Sequence, residues 1–128
     1  MPQKRVRAVI VENSKVLLIK RFKNTETYFV FPGGGVDDSE DEKMALIREC
    51  LEEVNAKVEV GEVIFRQSVS QGEESFYLCK IVSGVVGVGS GQEYKNMQAE
   101  NIYEPTWISL DIINDKNIKP REIVRIIL

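Results

Sequence analysis

The chain has 128 residues, 17 basic and 20 acidic side chains, a net charge of −3 and no histidine. That length suits one domain, residues 1–128, able to bury roughly two-thirds of its unfolded surface in a single core. The missing histidine excludes imidazole-dependent triads, histidine-ligated zinc and a histidine base. The acidic balance, with no long basic run, argues against duplex nucleic acid as a partner.

Met1 to Arg7 is short and polar with no apolar segment of signal type behind it, and the longest aliphatic run, Val16 to Ile19, is far too short to span a bilayer. A cytoplasmic protein without a membrane partner is expected. Val6 to Val11 and Val16 to Ile19, separated by Asn13 and Ser14, read as a β-hairpin. Its nearly continuous apolar residues predict a strand pair covered on both faces. Arg21 closes the second strand, where a solvated charge is the ordinary expectation. Tyr28 to Phe31 is a short strand leading into Pro32, Gly33, Gly34 and Gly35. Three successive glycines allow positive φ and close backbone approach, so this loop is expected to bend over the next helix and bring its amides near a phosphate.

That helix is predicted from about Glu40 to Val54. Ser39 and Glu42 have the spacing of a capping box, and Asn55 stands where a left-handed C-terminal cap belongs. At about 100° per residue, Glu49, Glu52 and Glu53 fall within an arc of roughly 100°. Met44, Ile47, Cys50, Leu51 and Val54 gather opposite them as the predicted core stripe. Carboxylates three and four residues apart repel by a few tenths of a kcal/mol per pair, and Arg48 pairs with Glu52 in the less favourable order. A solvated acidic face explains this crowding poorly. Ligands for a hard divalent cation such as Mg²⁺, which takes carboxylate and phosphate oxygens, explain it better.

Lys57 to Ser70 reads as a long strand bent at Gly61, and Ser75 to Val82 as its neighbour across a turn at Gln71 to Glu74. Ser83 to Gly91 is rich in glycine but lacks a phosphate-loop pattern, so a turn with one short strand at Val85 to Val88 is expected. Gln92 to Glu104 is polar and irregular. Thr106 to Ser109 is a last strand, with Trp107 expected to pack on the sheet, and Leu110 to Ile113 a helical turn. Pro120 at the first helical position opens a helix over Arg121 to Leu128, with Ile123, Ile126 and Ile127 facing the sheet. Cys50 and Cys79 suit reduced core thiols.

From Gly34 the sequence runs through five residues to Glu40, then seven more to Arg48, Glu49, Cys50, Leu51, Glu52, Glu53, Val54, Asn55 and Ala56. This resembles the Nudix box of the Nudix hydrolases: glycine, five residues, glutamate, seven residues, then R-E-U-x-E-E-x-G-U, with U a bulky apolar residue. Asn55 replaces the last glycine, and Cys50 and Ala56 are small versions of the apolar positions. The resemblance implies an α/β fold, an α/β/α sandwich with a mixed β-sheet flanked by helices. It implies hydrolysis of a diphosphate bond in a nucleoside diphosphate linked to another moiety, nucleoside triphosphates included. Glu49, Glu52 and Glu53 would hold Mg²⁺, with Mn²⁺ as a substitute.

By the same resemblance Arg48 orients Glu52 and the glycine loop, Glu40 shapes that loop, and Arg21 and the loop residues Gly33, Gly34 and Gly35 face the substrate phosphates. The base is Glu49, Glu53 or an acid from the segment before Trp107, with Glu100 ahead of Glu93. The partner is a small nucleotide. A homodimer is left open, and so are the substrate and the number of metal ions. The alternative is a Nudix-fold module that senses a nucleotide without cleaving it.

Overall fold

The structure, a computed structural model, describes residues 3–70, 72–87 and 102–128. In chain order the elements are β1 (Gln3–Glu12), β2 (Lys15–Lys23), β3 (Glu26–Val30), β4 (Gly33–Gly35), α1 (Glu42–Val54), β5 (Ala56–Val69), β6 (Gly72–Gly84), β7 (Ile102–Ser109), a 3-10 turn (Ile113–Asp115), β8 (Ile118–Lys119) and α2 (Glu122–Ile127).

The hairpin between β1 and β2 turns at Asn13 and Ser14, whose φ values of 51° and 61° are what a two-residue turn needs to match strand twist. The two strands pair only beside that turn, Val11 with Val16 and Glu12 with Lys15. Beyond it they diverge, and the chain fills the gap with β3 against β2 and β4 against β1. On its other edge β1 runs parallel to β6, which carries β5, while the free edge of β2 pairs with β7 and that of β3 with β8. The sheet is therefore mixed, as expected.

Alternation along the two central strands sorts the core. Val6, Ala8 and Ile10 of β1 and Leu17 and Ile19 of β2 face α1, packing with Ala45, Leu46, Cys50 and Val54. Val9, Val16 and Leu18 face the other way, toward Phe29, Phe31, Phe76 and the α2 residues Ile123 and Val124. One helix covers each face, which makes the α/β/α sandwich. Trp107 packs against the first cluster. Among the described residues no helix is long and apolar enough to cross a membrane.

Several expectations need correction. The capping residue of α1 is Asp41, whose carboxylate accepts the Met44 amide at 2.8 Å; Asp caps as well as Ser. Glu40 lies ahead of the helix, its amide bonded to the Asp37 carbonyl, and the Ser39–Glu42 capping box is not formed. Met44 and Leu51, assigned to the core stripe, are exposed, while Glu53, assigned to the polar face, is buried. The helix is rotated about its axis from the position that its apolar residues alone suggest. Residues 85–87 form no strand, and 88–101, with the rest of the glycine passage and both Glu93 and Glu100, lie outside the described residues. β7 begins at Ile102 rather than Thr106 and β6 at Gly72 rather than Ser75; the helical turn falls at Ile113–Asp115. In α2 the cap is Arg121, so Pro120 precedes the first helical position, and Val124 takes the core place assigned to Ile126.

Asn55 does end α1 in the left-handed region, at φ 59° and ψ 34°, and its side-chain amide donates to the Val85 carbonyl at 3.1 Å. β5 leaves directly from it and breaks register between Val60 and Val63, around Gly61. Replacing Asn55 with Val should cost about 1–2 kcal/mol in urea melts, because a β-branched residue resists positive φ. Asn55→Gly should cost clearly less; equal losses would place the cost elsewhere.

Across the sheet, Arg7 of β1 bonds β6 and the link between β3 and β4. Its Nε donates to Glu74 at 2.8 Å and its Nη1 to the Phe31 carbonyl at 3.1 Å, while Gln67 donates to the second Glu74 oxygen at 2.8 Å. Burial opposes ionisation of Glu74, but the bonds from Arg7 and Gln67 together outweigh it and hold the carboxyl below its ordinary range. The unfolded chain therefore takes the proton more readily than the folded one. The resulting stability is complete above the ordinary carboxylate pKa of about 4 and is lost as pH falls through the lower folded value. Thermal melts between pH 6 and pH 2 should show a shallower acid decline for Glu74→Gln than for wild type.

Candidate active site

The acidic end of α1 rests on the glycine strand. Glu53, 1% exposed, accepts the Gly33 amide at 3.0 Å on Oε1 and the Tyr103 hydroxyl at 2.9 Å on Oε2. Burying a carboxylate among core residues is tolerable only with such bonds. The Glu49 carboxylate lies directly on Gly34, where an added Cβ would stand 2.5 Å from it. Arg48 Nη2 donates to the Gly35 carbonyl at 3.1 Å. Three successive glycines thus meet Glu53, Glu49 and Arg48 in turn. The expectation of a loop with its amides open to a phosphate is replaced here by a short strand paired with Arg5 to Arg7, and the Gly33 amide already serves Glu53.

Arg48 gathers the acids. It holds Glu40 in a bidentate pair at 2.8 and 2.9 Å and reaches Glu49 at 3.1 Å and Glu52 at 3.3 Å through Nη1. The Glu40 carboxyl is held below its ordinary range by these Arg48 bonds and by the Asp37 amide. The Arg48 guanidinium is stabilised above its already high pKa, chiefly by Glu40. Sequence spacing suggested weak relief for the crowded acids. The guanidinium instead relieves Glu49 and Glu52 together, and Glu53 is relieved by neutral donors.

Arg21 comes to the same side of the sheet as Leu17 and Ile19 because it continues their alternation. In register it faces Tyr28 on β3 and Tyr103 on β7. Its guanidinium carbon lies 4.3 Å from the Tyr103 ring centroid and 5.8 Å from that of Tyr28. Among the described residues its Nε is buried with no hydrogen-bond partner. Tyr103 is the site residue that the sequence reading missed. Carrying the alternation of the last strand back from Trp107 would have placed it on the same face.

The donor set suits a hard cation: every candidate ligand is a carboxylate, and Glu49 and Glu52 already converge on one positively charged nitrogen. Among the described residues no three acidic side chains converge on a single point. A concavity of about 360 Å³ opens at the other end of α1, beside Lys4, Glu42 and Tyr77, away from these ligands. Neither thiol belongs to the site. Both are buried, and burial pushes Cys79 up to about 12 and Cys50 well above its ordinary value.

Solved structures that share the fold include a NUDIX-family hydrolase from Clostridium perfringens (18% identity, 99% of this chain and 93% of that one, TM-score 0.73). A MutT NUDIX hydrolase from Burkholderia pseudomallei aligns at 25% identity over 87% of this chain and 85% of that one, with a TM-score of 0.63. An ADP-ribose pyrophosphatase from Streptococcus suis aligns at 23% identity over 87% and 76%, with a TM-score of 0.61. No curated protein matches the chain. The profile of the NUDIX domain matches residues 1–125, so the chain belongs to the NUDIX domain family.

Proposed function

We propose that this protein hydrolyses a diphosphate bond in a small nucleotide, a nucleoside diphosphate linked to a further group or phosphate, by attack of water at phosphorus. The observation that carries the reading is the convergence of Glu49 and Glu52 on one Arg48 nitrogen, with Glu49 and Glu53 seated on successive glycines. The names of the structural relatives, a MutT hydrolase and an ADP-ribose pyrophosphatase, support the reaction class. Glu49, Glu52 and Glu53 would hold Mg²⁺, or Mn²⁺ in its place, which when bound neutralises phosphate charge and acidifies water.

The chain's own residues position and neutralise, as phosphoryl and nucleotidyl transfer require. Arg48, anchored by Glu40, keeps Glu49 and Glu52 on one side of the helix. Arg21, held against Tyr103 and Tyr28, supplies positive charge on the same face of the sheet for the phosphates. In the reaction a bond forms from the water oxygen to phosphorus, the bridging P–O bond breaks, and the water proton passes to a carboxylate. Glu49, Glu53 and Glu100 are the candidates for that base.

Turnover of a panel of nucleoside diphosphate derivatives, scored for phosphate, pyrophosphate and nucleotide products, tests the reaction. Glu52→Gln, at a half-exposed position, should leave metal-free stability within about 0.5 kcal/mol and lower turnover about 100-fold or more. Wild type should gain thermal stability with millimolar Mg²⁺, by RT ln(1 + [L]/Kd), and the variant much less. A variant with full turnover and the wild-type Mg²⁺ shift would remove Glu52 from the site. Glu53→Gln should also cost stability, roughly 1–3 kcal/mol, because one buried donor loses its acceptor.

Two glycine variants separate site geometry from folding. At Gly33, φ is 149° and a Cβ would collide with the Val6 carbonyl, so Gly33→Ala should lose well over about 1 kcal/mol. At Gly34 the obstacle is only the mobile end of Glu49. Gly34→Ala should therefore melt near wild type yet lose about tenfold or more in turnover, since Glu49 must move. Retained turnover in a well-folded Gly34→Ala would show that the seating of Glu49 is immaterial.

A further inference from the structure

We infer that Tyr103 is a positioning residue that sets the orientation of Glu53 toward a divalent cation; the inference rests on Glu53 being a ligand, as proposed above. Tyr103 is 9% exposed. It comes from β7, fifty residues along the chain from the carboxylate it touches. Its hydroxyl donates to Oε2 of Glu53 at 2.9 Å while the Gly33 amide donates to Oε1 at 3.0 Å. One donor fixes an atom, whereas two donors on the two oxygens fix the plane of a carboxylate. Neither donor lies on the helix that carries Glu53, so the sheet rather than α1 decides where that carboxylate points.

The hydroxyl is itself held. The Tyr103 ring lies against the Arg21 guanidinium at 4.3 Å, with Tyr28 on the far strand, and Arg21 and Tyr103 are direct cross-strand partners. Swinging the hydroxyl away from Glu53 would break that stack. A ring that only filled space would need no hydroxyl, and phenylalanine would serve. Partners that orient a metal-binding carboxylate in this way commonly carry a factor of about 10–100 in metal affinity.

The test is Mn²⁺ binding by the purified protein, read from loss of the electron paramagnetic resonance signal of free aqueous Mn²⁺, with metal-free thermal melts alongside. Wild type should bind, Glu53→Gln should bind far more weakly, and Tyr103→Phe should bind about tenfold or more weakly while keeping a folded melt. If Glu53→Gln loses Mn²⁺ and Tyr103→Phe binds as wild type does, the role of Tyr103 is overturned and the ligand reading stands. If wild type does not bind, or Glu53→Gln binds as wild type does, the ligand reading falls and this inference falls with it. Should Tyr103→Phe not fold, wild type labelled with 3-fluorotyrosine carries the test. The chain has four tyrosines, and the Tyr103 resonance, assigned by difference from Tyr28→Phe, Tyr77→Phe and Tyr94→Phe, should move on Mg²⁺ addition. An unmoved Tyr103 resonance overturns the inference.

Discussion

The close seating of α1 on three consecutive glycines is the constraint on which the rest of the site depends. A helix bearing charged side chains cannot ordinarily lie against a strand without side chains between them. Gly33, Gly34 and Gly35 remove that obstacle, and the space is taken by the polar ends of Glu53, Glu49 and Arg48. Because the glycine strand is paired to Arg5, Val6 and Arg7 of β1, the acids are referenced to the sheet rather than to a loop. The site inherits the rigidity of the central strand, which is where preorganised electrostatics belong.

Divergence of β1 and β2 makes room for this arrangement. Two strands paired along their whole length would leave no edge of β1 for β4. Because they separate after Val11 and Val16, β1 accepts the glycine strand and β2 accepts β3. Arg21 is thereby set between two tyrosines, on the face that also receives the acidic end of α1. Cationic and anionic halves of the site thus come from opposite sides of one gap, joined through Tyr103.

Charge balance follows from the same packing. Arg48 distributes one guanidinium over Glu40, Glu49 and Glu52, at distances from 2.8 to 3.3 Å. Glu49 and Glu52 share one guanidinium nitrogen, which offsets their mutual repulsion. Glu53 is a different problem, since it has left water altogether. Its compensation is hydrogen bonding by a backbone amide and a phenol, and the cost of removing either donor is set by burial rather than by repulsion.

Local residue order was enough for some of this. The hairpin turn at Asn13 and Ser14, the left-handed Asn55, the strand bent at Gly61 and the acids of the box are short-range features, fixed by dihedral preference, alternation and spacing. The three candidate ligands could be named from spacing, and Arg48 as their companion from the resemblance to the Nudix box. What spacing does not carry is the rotation of an element about its own axis. A helical wheel gives the angles between Glu49, Glu52, Glu53, Met44 and Leu51 but not the surface they meet. Tertiary packing therefore buried Glu53 and exposed Met44 and Leu51. The cap at Asp41 rather than Ser39 leaves Glu40 ahead of the helix, where it pairs with Arg48. The bond from Tyr103 to Glu53 joins residues with no local relation, and only the pairing of β7 with β2 and the approach of α1 to β4 bring them together. One-dimensional order thus determined which chemical groups this protein owns, and the three-dimensional packing of helix on glycine strand decided which of them meet.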